Sequence, residues 1–277
     1  MLMDKYTATW ISYSSMSDYL KCPRAYYLKN IYRRRESHHK ITLMQPPLAL
    51  GQVVHEVLDQ VSQVPKESRF SKPLIAEFEK IWRKFTGKNG GFNSQEEEQI
   101  YKNRGKKMLE RVQKFPGPLL NPAIKLRQYL PYYWLSDTEN IILCGKIDWL
   151  EYIPKTNSLH VIDFKTGKTD EDEDSLQLLS YYLLVKNCQL RLVTKLSYWY
   201  LDRDNAPLEM KLPDGIKAHK TILEIGNKIA LARKLEHFKC LKKEGCYACS
   251  PFEAIIQNKA EFIGVDALDR DVYVFAK

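Results

Sequence analysis

The sequence predicts an α/β protein in which helices come first and strands follow. Up to about residue 120, apolar residues recur at helical spacing. After Pro122 the chain turns to short runs of β-branched and aromatic residues closed by turn formers. The 277 residues are 44% hydrophobic with only 12 glycines and 13 prolines. That is enough to bury a sizeable core, and it excludes collagen-like, low-complexity and disordered chains.

In the first part, Ser14 or Ser15 is placed to cap a helix carrying Met16, Tyr19 and Leu20, and Pro23 suits the first turn of a second helix. Leu50–Ser62 sets Val54, Val57, Leu58 and Val61 on one stripe, and Pro73–Phe85 does the same with Leu74, Phe78, Ile81, Trp82 and Phe85. Ser94 with Glu97 reads as a capping box opening a long polar helix to about Lys114, which Phe115-Pro-Gly-Pro ends. Leu126–Leu135, Ile141–Tyr152 and Leu159–Lys165 then read as three consecutive antiparallel strands. A helix over Leu176–Lys186, a strand over Lys195–Leu201 and a last helix over about Ile216–Phe238 complete the order. The expectation is a single domain with a mainly helical part at 1–122, a sheet core at 123–201, and a helix with a cysteine-bearing tail at 202–277.

Lys and Arg outnumber Asp and Glu by 43 to 34. The resulting charge of +9 favours polyanionic partners, although it is also common in proteins that bind none. Met1–Ser15 lacks the apolar run of a secretory signal, and no stretch has the ~20 apolar residues of a membrane span. A cytoplasmic protein without membrane contact is expected. In a reducing compartment the six cysteines are free thiols or metal ligands rather than disulfides.

The most informative stretch is Gly145-Lys-Ile-Asp148, expected on one strand, followed by Val161-Ile-Asp163-Phe-Lys165 on the next. Residues i and i+2 of a strand share a face, so Asp163 and Lys165 project together while Phe164 enters the core. Asp148 on the neighbouring strand adds a like charge, which a divalent cation would resolve. Two carboxylates, waters and a phosphate oxygen form a hard shell suited to magnesium or manganese. Lys165 would then orient the attacking water and offset charge developing on phosphorus. A surface hairpin with an Asp–Lys pair is the other reading of the triplet alone. His55, beside the apolar stripe, is a boundary residue or a third ligand. Gln177 and Tyr181 share a helix face and either pack or reach the site. The acidic run Asp170–Asp174 reads as a solvated loop.

Taken together these residues resemble the PD-(D/E)XK nucleases, specifically the RecB and AddB type of nuclease domain and the related CRISPR-associated adaptation exonucleases. Ile11–Tyr27 is similar to that group's entry motif and Gly51–Val57 to its histidine helix, and Gly145–Asp148, Ile162–Thr166 and Gln177–Tyr181 follow in the same order. The resemblance implies a restriction-endonuclease-like fold with a mixed central sheet flanked by helices. It implies a metal held by His55, Asp148, Asp163 and the Phe164 backbone carbonyl, a catalytic Lys165, and Gln177 and Tyr181 lining the site. It also implies phosphodiester hydrolysis on DNA, exonucleolytic on ends or single strands, in repair, recombination or defence. No G-x-x-x-x-G-K-[ST] occurs, so unwinding would fall to a helicase or other partner. A non-catalytic nucleic-acid-binding module is the rival; a redox protein would leave Asp148, Asp163 and Lys165 unexplained.

Cys240-x5-Cys246-x2-Cys249 gathers three thiols near the C-terminus, and Cys22 matches an iron–sulfur ligand position in the related nucleases. Four thiolates suit a 4Fe-4S cluster or a structural zinc. Iron–sulfur relatives carry the two C-terminal spacings in reverse order. Cys144 and Cys188 read as core residues without partners. Arg33–Arg35 with Lys102, Arg104, Lys106 and Lys107 either hold a nucleic-acid backbone or form solvated faces. Tyr26, Tyr27 and Tyr101 are expected in core packing ahead of base stacking.

Overall fold

The structure, a computed structural model, describes residues 4–126, 130–172 and 175–275. In chain order its elements begin with β1 (Thr9–Ile11), α1 (Tyr13–Lys21), α2 (Pro23–Tyr26), β2 (Lys40–Leu43), α3 (Pro46–Val61), α4 (Leu74–Trp82) and α5 (Gln95–Lys114). They continue with β3 (Tyr132–Ser136), β4 (Ile141–Cys144), β5 (Trp149–Ile153), β6 (Ser158–Lys165), α6 (Leu176–Cys188) and β7 (Leu192–Tyr200). The last are β8 (Leu208–Met210), α7 (Gly215–Lys234), α8 (Ser250–Ile256), β9 (Glu261–Val265) and β10 (Arg270–Val274). They divide between two compact units, one of residues 1–45, 134–143 and 220–277, the other of 46–133 and 144–219.

In the second unit, α3, α4 and α5 pack on one another through Val53, Val57, Phe78, Trp82, Met108 and Leu109, all buried. The Ser94 hydroxyl accepts from the Glu97 amide at 3.1 Å and starts α5, as expected. The Glu97 carboxylate, however, accepts from the Asn93 amide rather than closing a box on Ser94. The sheet of this unit is mixed, in the order β5-β6-β7-β8. β5 and β6 are antiparallel, β6 and β7 parallel, and β7 and β8 antiparallel. A parallel neighbour needs a crossover, which α6 supplies while packing on β7. Every residue of β6 before Lys165 is buried, so charge on this strand has to be satisfied from within the protein.

The expected strand over Ile141–Tyr152 is two strands. Ile141–Leu143 pairs in parallel with β1, whereas Trp149–Ile153 pairs with β6, and Gly145–Asp148 is the link where the chain changes sheets. Asp148 therefore stands just ahead of a strand instead of within one. Gly145 is confined there: a Cβ on it would come within 3.1 Å of the Leu184 side chain. Of the expected strand over 126–135, Arg127–Tyr129 lie outside the described residues and Tyr132–Leu135 belongs to β3.

The first unit holds a three-stranded sheet in the order β1-β4-β3 and another in the order β2-β10-β9, where β10 runs parallel to β2 and antiparallel to β9. The expected helical part thus contains two strands, and the tail three more with β8. Ser12, rather than Ser14 or Ser15, caps α1: its hydroxyl accepts from the Ser15 amide while the Ser15 hydroxyl accepts from the Ser12 amide. Pro23 occupies the first turn of α2 as expected. No helix of the described residues is long and apolar enough to cross a membrane.

Three strands of the mixed sheet are tied by a buried polar relay. Across the β5–β6 pair, His160 Nδ1 meets Glu151 Oε2 at 2.7 Å, and His160 Nε2 meets Ser197 Oγ on β7 at 2.7 Å. Asn121 donates to the other Glu151 oxygen. Removing the imidazole would strand a buried carboxylate and a buried hydroxyl. His160→Ala is therefore expected to cost about 2–4 kcal/mol in urea denaturation; a loss below about 1 kcal/mol would show that the relay contributes little.

Candidate active site and four-cysteine cluster

Both units bring together side chains from distant parts of the sequence. In the second unit, the lone β6 charges are met from α3, α6 and the Gly145–Asp148 link. Asp163, 2% exposed, accepts from Gln177 Nε2 at 2.7 Å on one oxygen and pairs with Lys165 Nζ at 3.0 Å on the other. Asp148 accepts from the Phe164 amide at 3.0 Å and faces His55 Nδ1 at 3.2 Å. Gln177 Nε2 also donates to the Tyr181 hydroxyl at 3.2 Å, and its Oε1 accepts from Lys165. The Phe164 ring lies in the core beside Trp149 and Trp199, with the His55 ring at its edge. The i, i+2 geometry read from the sequence holds.

This packing sets the titration of the group. Burial pushes the Asp163 carboxyl up to about 7, and the Asp148 charge adds to that, against the pull of Lys165 and His55. Burial also works against the Asp148 carboxylate, but the His55 charge and hydrogen bond and the Phe164 amide outweigh it and hold its pKa below the ordinary value. His55 and Lys165 are both disfavoured as cations by burial. Asp148 raises the first above its usual value, and Asp163 with Glu171 raises the second. Tyr181 is pushed well above the usual phenol range, first by burial and then by the two acids, so it keeps its proton. Two carboxylates that share a buried space and drive one pKa to about 7 form a natural seat for a divalent cation, with His55 as an additional donor. A cleft of about 210 Å³ lined by Asp59, Lys125, Lys146 and Trp149 adjoins Asp148.

A profile of the PD-(D/E)XK nuclease superfamily matches residues 10–254. The chain belongs to that superfamily. It is also 26% identical over 231 residues to a subunit of the ATP-dependent helicase/deoxyribonuclease of Clostridium novyi (strain NT). That alignment takes in 75% of this chain and 19% of the relative, so the chain spans about a fifth of that protein's length. In this PD-(D/E)XK chain, Asp163-Phe164-Lys165 reads acid-x-lysine, and the structure gathers the six side chains singled out in sequence, His55, Asp148, Asp163, Lys165, Gln177 and Tyr181, into one group.

One member of the group was not foreseen. The acidic run is not simply solvated: Glu171 Oε1 lies 3.0 Å from Lys165 Nζ. Glu173 and Asp174 of the same run lie outside the described residues. Glu56, which the helix turns away from the site, sits within 3.7 Å of Lys84 instead. The basic residues of α5 also find partners inside the protein. Lys102 and Lys106 pair with Glu79, and Arg104 pairs with Asp202 while donating to the Thr166 carbonyl. Tyr26 is buried and packs edge-on against Tyr19.

In the first unit, Cys22, Cys240, Cys246 and Cys249 converge, with one sulfur from each lying within 4.8 Å of the others. Cys22 stands at the junction of α1 and α2, and Cys246 and Cys249 lie in the turn that starts α8. Gly245, at φ 87°, enters that turn in the left-handed region, and a Cβ there would meet Ser250 Oγ at 2.9 Å. Ala25, Leu28, Phe252 and Ile256 wrap the sulfurs in apolar surface. Burial resists a Cys246 thiolate, but hydrogen bonds from the Cys249 and Ala248 amides and from neighbouring thiols bring it to about 7, while burial sends Cys249 up to about 12. Cys246 Sγ and Cys249 Sγ are 3.7 Å apart, close to the edge of about 3.8 Å of a tetrahedron of thiolates about 2.3 Å from one ion. Cys144 is buried outside this cluster, and Cys188 donates to the Tyr132 carbonyl.

The raised Asp163 pKa has a thermodynamic consequence. The folded chain holds this proton up to about pH 7, whereas an unfolded Asp releases it near 3.9. Between those values the folded state binds more protons, so this group's contribution to stability falls as pH rises. In protein free of divalent cations, the stability difference between Asp163→Asn and wild type should move toward the variant by about 3 kcal/mol from pH 4.5 to pH 8. Thermal melts across that range check it, and a pH-independent difference would contradict it.

Proposed function

We propose that this chain is a divalent-cation-dependent DNA nuclease. The observation that carries the reading is the convergence of Asp148, Asp163 and Lys165 on one buried spot beside His55. Superfamily membership supports it independently. The donor set of two carboxylates, an imidazole and the Phe164 backbone carbonyl fits magnesium or manganese. When bound, such an ion supplies a water acidified for attack and neutralises charge on the phosphate.

The chain's own residues supply the rest. Lys165 places an ammonium against Asp163, where it can orient the nucleophile and offset charge developing on phosphorus. Gln177 fixes the orientation of both the Asp163 carboxylate and the lysine. Tyr181, kept protonated, adds a hydroxyl at the same place. The cleft beside Asp148, with Lys125 and Lys146 on its wall, offers room for a nucleotide next to the cation seat. The resemblance to RecB and AddB nuclease domains favours exonucleolytic action on ends or single strands in repair, recombination or defence. The Clostridium novyi relative is named for a helicase as well as a deoxyribonuclease. A helicase partner acting in the cytoplasm fits that likeness.

For the four cysteines we propose a structural metal site. The close sulfur spacing favours one tetrahedral ion such as zinc, and the resemblance favours a 4Fe-4S cluster.

Incubation with end-labelled single- and double-stranded DNA and magnesium or manganese tests the first reading. Wild type should degrade DNA, and Asp163→Ala and Lys165→Ala should each lose at least about 100-fold. Absence of cleavage by folded, cation-replete protein would instead favour a non-catalytic nucleic-acid-binding module. Elemental analysis tests the second: about one zinc per chain, lost in Cys22→Ser, is expected. A brown, iron- and sulfide-containing preparation would assign the cluster, and a metal-free one would remove the site.

A further inference from the structure

The Lys165 ammonium has three N–H donors, and three side-chain oxygens crowd round it. Asp163 Oδ2 lies at 3.0 Å, Gln177 Oε1 accepts a second, and Glu171 Oε1 lies at 3.0 Å, while the Tyr198 ring covers another side at 4.7 Å from its centroid. A phosphate oxygen that is to meet this lysine must therefore displace one of them. Asp163 and Gln177 are anchored on β6 and α6, 2% and 8% exposed. Glu171 belongs to the irregular segment between those elements, and its side chain is 30% exposed.

The backbone beside Glu171 is tethered independently of its carboxylate. The Glu171 amide donates to the Tyr200 hydroxyl at 2.9 Å, Asp170 pairs with Arg203, and the Arg203 guanidinium stacks on the Tyr200 ring at 4.2 Å. Only the Glu171 side chain has to swing out. Its carboxylate has the charge and the oxygen geometry of a phosphate diester's non-bridging oxygens.

We propose that Glu171 is a substrate mimic: its carboxylate holds on Lys165 the place that a phosphate oxygen of the nucleic acid takes, and substrate binding expels it. This rests on the nuclease reading and adds to it a residue that sets affinity without taking part in bond breaking. Until it leaves, the carboxylate also repels polyanions and keeps the lysine oriented.

Anisotropy of a fluorescein-labelled single-stranded oligonucleotide, with calcium in place of magnesium and at fixed salt, tests the proposal in the full chain. Glu171→Gln should bind about fivefold more tightly than wild type, because the competition is gone. Asp172→Asn removes the same unit of charge from the same segment without touching Lys165, and should change affinity less than twofold. In a Lys165→Met background the Glu171→Gln gain should vanish. With magnesium, Glu171→Gln should lower KM and leave kcat undiminished. Equal effects of the two charge removals, a gain that survives loss of the lysine, or a fall in kcat would each overturn the assignment. If no form binds the oligonucleotide, the nuclease reading itself falls and this one with it.

Discussion

Two carboxylates forced into one buried space are the constraint on which the second unit is organised. Asp163 sits between Ile162 and Phe164 on a strand buried up to Lys165, where an uncompensated charge would be prohibitive. Every polar neighbour addresses that problem. Lys165 follows from the same strand by the pleat, Gln177 and Tyr181 arrive from the crossover helix that the parallel β6–β7 pair requires, and His55 holds the second acid. Burial and the Asp148 charge still lift the Asp163 carboxyl to about 7, so these neighbours resolve only part of the repulsion. A fold optimised for stability alone would have replaced both acids with apolar residues.

The parts of this site that were legible in the sequence are those fixed by local periodicity. Asp163 and Lys165 share a face because strands alternate, and Gln177 and Tyr181 do because helices repeat every 3.6 residues. The helices were readable from their stripes and caps, and α3, α4 and α5 lie close to where the apolar spacing puts them. Sheet membership was not readable. Ile141–Tyr152 is strand-like on both sides of Gly145-Lys-Ile-Asp148, yet its two halves pair with different sheets, a long-range choice that the local break alone does not encode. β1 and β2 are three and four residues long, too short to show alternation, and exist because partners far along the chain complete them. Glu171 was missed for a related reason. A run of acids looks the same whether it faces water or a buried lysine; the available signal was that Lys165 carries more donors than Asp163 alone can satisfy.

The cysteines show the opposite balance. Their spacing marked Cys240, Cys246 and Cys249 as a group, the resemblance added Cys22, and the fold of the first unit brings all four together. Ala25, Leu28, Phe252 and Ile256 bury Cys22 and Cys249 in apolar surface, while Cys240 and Cys246 stay partly exposed. The thiols of the first unit and the carboxylates of the second are soft and hard donors, which select different ions.

The discontinuity of the two units bears on how the chain is made. Residues 46–219 contain the whole second unit, His55 through Tyr181 included, whereas the first unit needs residues 1–45, then β4 from 134–143, and is completed only by 220–277. As synthesis proceeds from the N-terminus, β2 must wait for β10, and Cys22 for three sulfurs near the other end. The segment that carries the acids can fold while the ribosome is still at work. The thiol-bearing unit closes only once residues 220–277 are made, so Cys22 and the β2 edge lack those partners until then.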